Sequence, residues 1–147
     1  MRKITHIIIH CSATREDRAY TADDLQTDHL SRGFHGIGYH YYIRRDGSVT
    51  NTRPIELVGA HVKGYNKHSI GICYEGGLDS EGRPADTRTP EQRSTLRLLV
   101  AQLIRRFHHE VRVCGHRDLS PDLNGDGAIE PAEWVKQCPC FDVSKEL

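Results

Sequence analysis

The chain has 147 residues, with 20 Lys+Arg balanced by 20 Asp+Glu for a formal net charge of zero. That length suits one domain with a real hydrophobic core. The balanced charge argues against nucleic acid as a partner, which asks for a basic excess, and no apolar run nears the ~20 residues of a membrane span. Residues 3–10, KITHIIIH, read as a strand, and Ile7-Ile8-Ile9 predicts burial on both faces beside a parallel neighbour. Thr21, followed by Asp23 and Asp24, predicts a capped helix running to about Arg32 and stopped by Gly33. Tyr39 to Arg44 is an aromatic-rich strand, Asp46-Gly47 a hairpin turn, and Ser48 to Arg53 the returning strand, ended by Pro54. Ser69 to Glu75 is a further strand, and the Gly-, Pro- and Asp-rich stretch 76–89 is a loop. Thr89-Pro90-Glu91-Gln92 predicts a capping box opening a second helix. Its core stripe is Leu96, Leu99, Val100, Leu103, Ile104 and Phe107, with His108 and His109 beside the negative end of its dipole. Val111 to Cys114 is a short strand leading into His116. The order β-α-β-β-β-α-β, with an irregular tail, predicts a single α/β domain over 1–147, a mixed central β-sheet flanked by helices.

The tail, from Gly115 to Cys140, is the densest in chemistry. Five cysteines and ten histidines are present. The N-terminus shows no signal-peptide pattern, so a disulfide framework is not expected. His10 and His116 each end a predicted strand, so strands sharing one sheet would bring both imidazoles to one edge. With Cys138 they make a zinc-type donor set, three protein ligands leaving one open position. Cys140, Cys11 and Cys114 remain competitors by spacing alone, although Cys11, Cys73 and Cys114 read better as small buried hydrophobes.

Between His116 and Cys138, residues 122–133 match the D-x-[DN]-x-[DN]-G-x5-E calcium pattern. Asp122, Asn124 and Asp126 stand at positions one, three and five. Gly127 takes the sharp turn, Ala128 offers a carbonyl, and Glu133 holds the bidentate position. Ser120-Pro121 before it leaves no entering helix, so the expectation is an EF-hand-like loop inserted near the C-terminus. Bound calcium there would be structural, bracing the link to Cys138.

Four segments carry a family resemblance: Ile9-His10-Cys11-Ser12-Ala13-Thr14, Gly38-Tyr39-His40-Tyr41, His61 to Gly71, and Lys136-Gln137-Cys138-Pro139-Cys140-Phe141-Asp142. In that order they resemble the zinc N-acetylmuramoyl-L-alanine amidases, related to amidase-type phage lysozymes and peptidoglycan recognition proteins. The likeness runs from about Ile4 to Asp142.

The resemblance implies the mixed sheet, zinc held by His10, His116 and Cys138, and catalytic roles for Tyr39 and Lys136. It selects Cys138 over Cys140 and suggests that His61 lines the substrate groove. The implied reaction cleaves the amide joining N-acetylmuramic acid to L-alanine in bacterial peptidoglycan. Zinc would activate water and the carbonyl, Lys136 would stabilise the oxyanion, and Tyr39 would donate to it or relay a proton. No glutamate next to a zinc ligand offers a general base. Two alternatives share the fold: a module that holds muropeptide without cutting, and a calcium-dependent interaction protein. With no leader pattern, the expectation is a monomer made in the cytoplasm that acts on the cell wall after release, as a phage or prophage endolysin does.

Overall fold

The computed structural model describes residues 2–107 and 110–147. In chain order it comprises β1 (His6–Cys11), β2 (Thr14–Arg15), α1 (Ala22–Ser31), β3 (Tyr41–Ile43), β4 (Val49–Asn51), β5 (Ser69–Tyr74), β6 (Gly77–Leu78), α2 (Pro90–Phe107), β7 (Arg112–Gly115) and α3 (Val143–Glu146). Five strands form the main sheet in the order β4-β3-β5-β1-β7. All its pairings are parallel except the β3–β4 hairpin. The mixed sheet is therefore the one the sequence predicts.

β1 lies between β5 and β7, which explains its apolar run. Ile7, Ile8 and Ile9 are fully buried, because a parallel strand inside a sheet covered on both faces has no solvent side. On one face, Ile7 and Ile9 join Ile70, Ile72, Leu96, Leu99, Val100 and Leu103. Ile8 points the other way, to Val62 and Cys114. Leu25 of α1 packs with Ile37, Tyr42 and Cys73 on that opposite side.

Both helix starts form as their sequences predict. The Thr21 hydroxyl accepts from Asp24 N–H (3.1 Å), and the Asp24 carboxylate accepts from Thr21 N–H (2.9 Å). Thr89 and Gln92 make the equivalent reciprocal pair. The α2 stripe departs from expectation at Ile104, which is 41% exposed. At about 100° per residue it stands roughly 80° round the helix from Leu96, off the buried stripe. His108 and His109, expected to close this helix, lie outside the described residues.

Three further differences stand out. The loop after β5 contains β6, which pairs in parallel with β2 as a small second sheet. The tail ends in α3, capped by Asp142, rather than staying irregular. β3 begins at Tyr41, two residues later than predicted. The Tyr39 carbonyl accepts from the Thr52 hydroxyl (2.7 Å), and the His40 carbonyl is shared between the Asn51 side-chain amide (2.7 Å) and Thr52 N–H (2.8 Å). Among the described residues no helix is long and apolar enough to cross a membrane.

Candidate active site

Parallel pairing decides where the site lies. β1 and β7 run side by side, Ile9 opposite Gly115, so His10 and His116 emerge together at the carboxyl ends of neighbouring strands. Open α/β sheets bind ligands at this edge. The two imidazole centroids lie 4.9 Å apart. The segment after residue 133 brings Cys138 to the same place. Its Sγ stands 3.9 Å from His10 Nδ1 and accepts from Cys11 N–H at 3.2 Å. One donor atom from each of His10, His116 and Cys138 lies within 4.8 Å of the other two. Cys140 turns away, its thiol directed at the Gly77 carbonyl (3.5 Å).

Cys138 is seated by its neighbours. Arg117 N–H donates to the Cys138 carbonyl at 2.9 Å. Pro139, after a cis peptide, packs onto Gly115, where an added Cβ would meet its Cδ at 2.6 Å. Only glycine allows this approach beside His116.

Burial governs protonation here. Desolvation, reinforced by neighbouring His61, His116 and Lys136, holds the His10 pKa well below its ordinary value. Desolvation likewise pushes His116 down to about 4, with the Lys136 charge adding to it. Both imidazoles are therefore neutral near pH 7, the form that can donate a lone pair to a metal. The Tyr39 phenol moves the opposite way, raised well above its ordinary value chiefly by desolvation. It stays protonated and available as a donor.

The cleft around these groups has a volume of about 500 Å³ and is lined by Tyr39, His61 and Lys136 as well as the three candidate ligands. The Tyr39 ring lies 4.9 Å from that of His10. Arg32 and Lys63 add positive charge to its rim, and no carboxylate lines it. Among the described residues the cleft therefore offers no glutamate as a general base, in line with the sequence.

His61 lines the cleft, but both its ring nitrogens are engaged by the protein: Nδ1 with His10 Nε2 at 2.8 Å and Nε2 with Ser69 Oγ at 3.2 Å. His61 thus lines the cleft with both nitrogens already partnered within the protein. His29, passed over in that reading, is 4% exposed. Its Nδ1 accepts from Gly38 N–H at 2.9 Å, fixing the backbone next to Tyr39. The signal was its place four residues after buried Leu25, on the inner face of α1. His40 faces away, toward Arg2, the Leu57 carbonyl and Gly71 N–H.

In the loop 122–133, carboxylate oxygens of Asp122, Asp126 and Glu133 lie within 4.8 Å of one another. Asp122 accepts from Gly125 and Gly127 N–H, and Asp126 from Ala128 N–H. Glu133 closes the loop by accepting from the amides of Leu123, Asn124 and Glu130. The Asn124 side-chain nitrogen donates to Glu130 (3.1 Å), and its oxygen accepts from Asp126 N–H (3.2 Å). No α-helix flanks the loop; it exits through a single turn at Pro131–Glu133. Among the described residues the helical frame of an EF-hand is therefore absent.

Residues 1–140 match the family model described as N-acetylmuramoyl-L-alanine amidase. The endolysin of Klebsiella phage KP32 is 35% identical over 144 residues, covering 98% of this chain and 85% of that one. Among solved structures, the N-acetylmuramoyl-L-alanine amidase LysC from Clostridium intestinale superposes with a TM-score of 0.72 at 27% identity, over 96% of this chain and 79% of its own. Bumblebee PGRP-SA shares the fold, with a TM-score of 0.74 at 24% identity, over 99% of this chain and 80% of its own.

Proposed function

Because the chain belongs to the N-acetylmuramoyl-L-alanine amidase family, we propose that its cleft hydrolyses the amide between N-acetylmuramic acid and L-alanine in peptidoglycan, using zinc held by His10, His116 and Cys138. The observation that carries this reading is the convergence of those three donor atoms within 4.8 Å, in a cleft that Tyr39 and Lys136 also line. Two neutral imidazoles and one thiolate suit zinc, and a three-ligand set leaves a coordination position open. When bound, zinc supplies Lewis acidity, polarising a carbonyl and acidifying water.

The remaining chemistry belongs to the chain. Lys136 stabilises the negative charge that grows on the carbonyl oxygen as its carbon becomes tetrahedral. Tyr39, kept protonated by desolvation, donates its phenolic hydrogen to that oxygen or relays a proton to the departing amine. The cationic rim suits the carboxylates of a stem peptide. Similarity to a phage endolysin supports action on the cell wall after release from the cell that makes the protein.

Calcium in the loop 122–133 is a separate proposal. Its ligands would be Asp122, Asn124, Asp126, the Ala128 carbonyl and Glu133, with Asn124 rotating inward. Crowding of the carboxylates supports it. Hydrogen bonding to Asp126 and Glu133 pushes Glu130 up to about 7, and a cation would relieve that crowding.

The deciding experiment is mass spectrometry of digested, purified peptidoglycan, with metal analysis of the same sample. Expected products are stem peptides with a free L-alanine amino group and uncut glycan strands, at one zinc per chain. Tyr39→Phe and Lys136→Met should keep the zinc and lose roughly 10²-fold or more in turnover. Binding of peptidoglycan by zinc-loaded wild type with no release of peptide would instead identify a recognition module.

A further inference from the structure

The two nitrogens of His10 face different partners. Nδ1 faces Cys138 Sγ, and Nε2 is hydrogen-bonded to His61 Nδ1 at 2.8 Å. An imidazole that gives its Nδ1 lone pair to a metal carries its hydrogen on Nε2, so His10 must donate there. His61 Nδ1 must then be the acceptor, which leaves the His61 hydrogen on Nε2, pointing at Ser69 Oγ, 3.2 Å away. The reverse assignment would put a hydrogen on His10 Nδ1 and block it as a ligand. A single direction of donation, His10 to His61 to Ser69, therefore agrees with every contact.

The His61 ring is also held rigidly. It lies over Gly71, where an added Cβ would come within 2.8 Å of its Cγ and Cδ2. The backbone amides of His61 and Val62 both donate to Asn66 Oδ1 at 2.9 Å. Gly71 and Ser69 both belong to β5, whose register against β1 sets Ile8 opposite Gly71. The strand neighbouring His10 thus supplies the floor under His61 and the anchor for its far nitrogen.

We propose that His61 is a positioning residue for the metal centre: it fixes the tautomer and ring orientation of His10 and is itself anchored by Ser69. The inference rests on the zinc reading of the preceding section. It replaces a direct substrate contact, because His61 has no free nitrogen for one. Partners of this kind, accepting from the second nitrogen of a metal-bound histidine, typically change metal affinity by about 10–100-fold.

The test compares His61→Asn and His61→Leu in the full chain. The Asn side-chain oxygen sits on Cγ, as Nδ1 does, and can accept from His10; Leu fills space without accepting. Zinc affinity is measured by competition with a chromophoric chelator, and the His10 tautomer by 15N NMR of the zinc-loaded protein. His61→Leu should bind zinc about 10–100-fold more weakly. His61→Asn should recover most of that loss and keep the Nε2–H signature. Should His61→Leu fail to fold, Ser69→Ala carries the test, with a several-fold weaker affinity expected. Wild-type zinc affinity in His61→Leu, or in Ser69→Ala where that variant carries the test, overturns the role while leaving the metal centre standing. So does a raised KM in both His61 variants at unchanged zinc affinity, the mark of a substrate contact. A wild-type protein that binds no zinc overturns the metal centre and this role together.

Discussion

Cys138 and Cys140 sit two residues apart, and the site depends on which of them turns inward. Cys138 Sγ faces His10 Nδ1, whereas Cys140, with φ of +68°, directs its thiol at the Gly77 carbonyl. Cys138→Ser should therefore reduce zinc to near zero per chain, while Cys140→Ser keeps one. Atomic emission analysis of the purified variants distinguishes them, and the opposite pattern would move the ligand to Cys140. Histidine burial makes a second prediction. Desolvation pushes His40 and His116 to about 4 and His61 to about 3, against an ordinary 6.5. The unfolded chain binds more protons than the folded one between those values, so folded stability is complete above about pH 6.5 and declines as pH falls toward 4. Thermal melts of metal-free protein across that range should show a flat Tm above neutrality and a falling one below it. A Tm independent of pH would mean these rings are charged or solvated in the folded state.

The link from His116 to Cys138 is the element on which the site most depends. Ordering backbone costs roughly 1–2 kcal/mol per residue, and this link holds only two single 3-10 turns, His116–Leu119 and Pro131–Glu133, with no α-helix or strand to offset it. Side chains take that part instead. Arg117 stacks over Trp134 with its guanidinium carbon 3.8 Å from the ring centroid, the Ser120 hydroxyl accepts from Val135 N–H (3.0 Å), and Glu133 ties three amides of the loop. If calcium braces the loop, it should raise the Tm of wild type and leave Glu133→Gln unmoved. Equal responses in the two proteins would count against the site. The caps of α1 and α2, by contrast, were legible directly, because a capping box is a contact between residues three apart. Ile104 was misjudged for the converse reason: periodicity finds a stripe but not how wide the neighbouring sheet is.

The protein is electrically neutral, yet Arg32, Lys63 and Lys136 gather at one cleft without a carboxylate among its lining residues. Attraction of an anionic substrate there is local and is screened over a Debye length of about 8–10 Å. Raising salt should increase KM several-fold with little change in kcat. The double variant Arg32→Ala/Lys63→Ala should start from a higher KM and respond less to salt. Equal salt responses would remove the rim from substrate capture.

Local pattern and composition, read without the fold, established the five main-sheet strands and the two long helices, the parallel burial of Ile7-Ile8-Ile9, and His10 and His116 at strand ends. These depend on near neighbours in the chain, so a linear reading reaches them. Spacing alone left Cys138 and Cys140 unresolved, and a family resemblance was needed to choose between them. It could not see that His61 bonds to His10, nor that His29 holds the backbone before Tyr39. Those contacts span 51 residues in one case and cross from a helix to a loop in the other. The first exists only once β1 and β5 align in register, a property of the packed sheet, and the second only once α1 packs beside the segment entering β3.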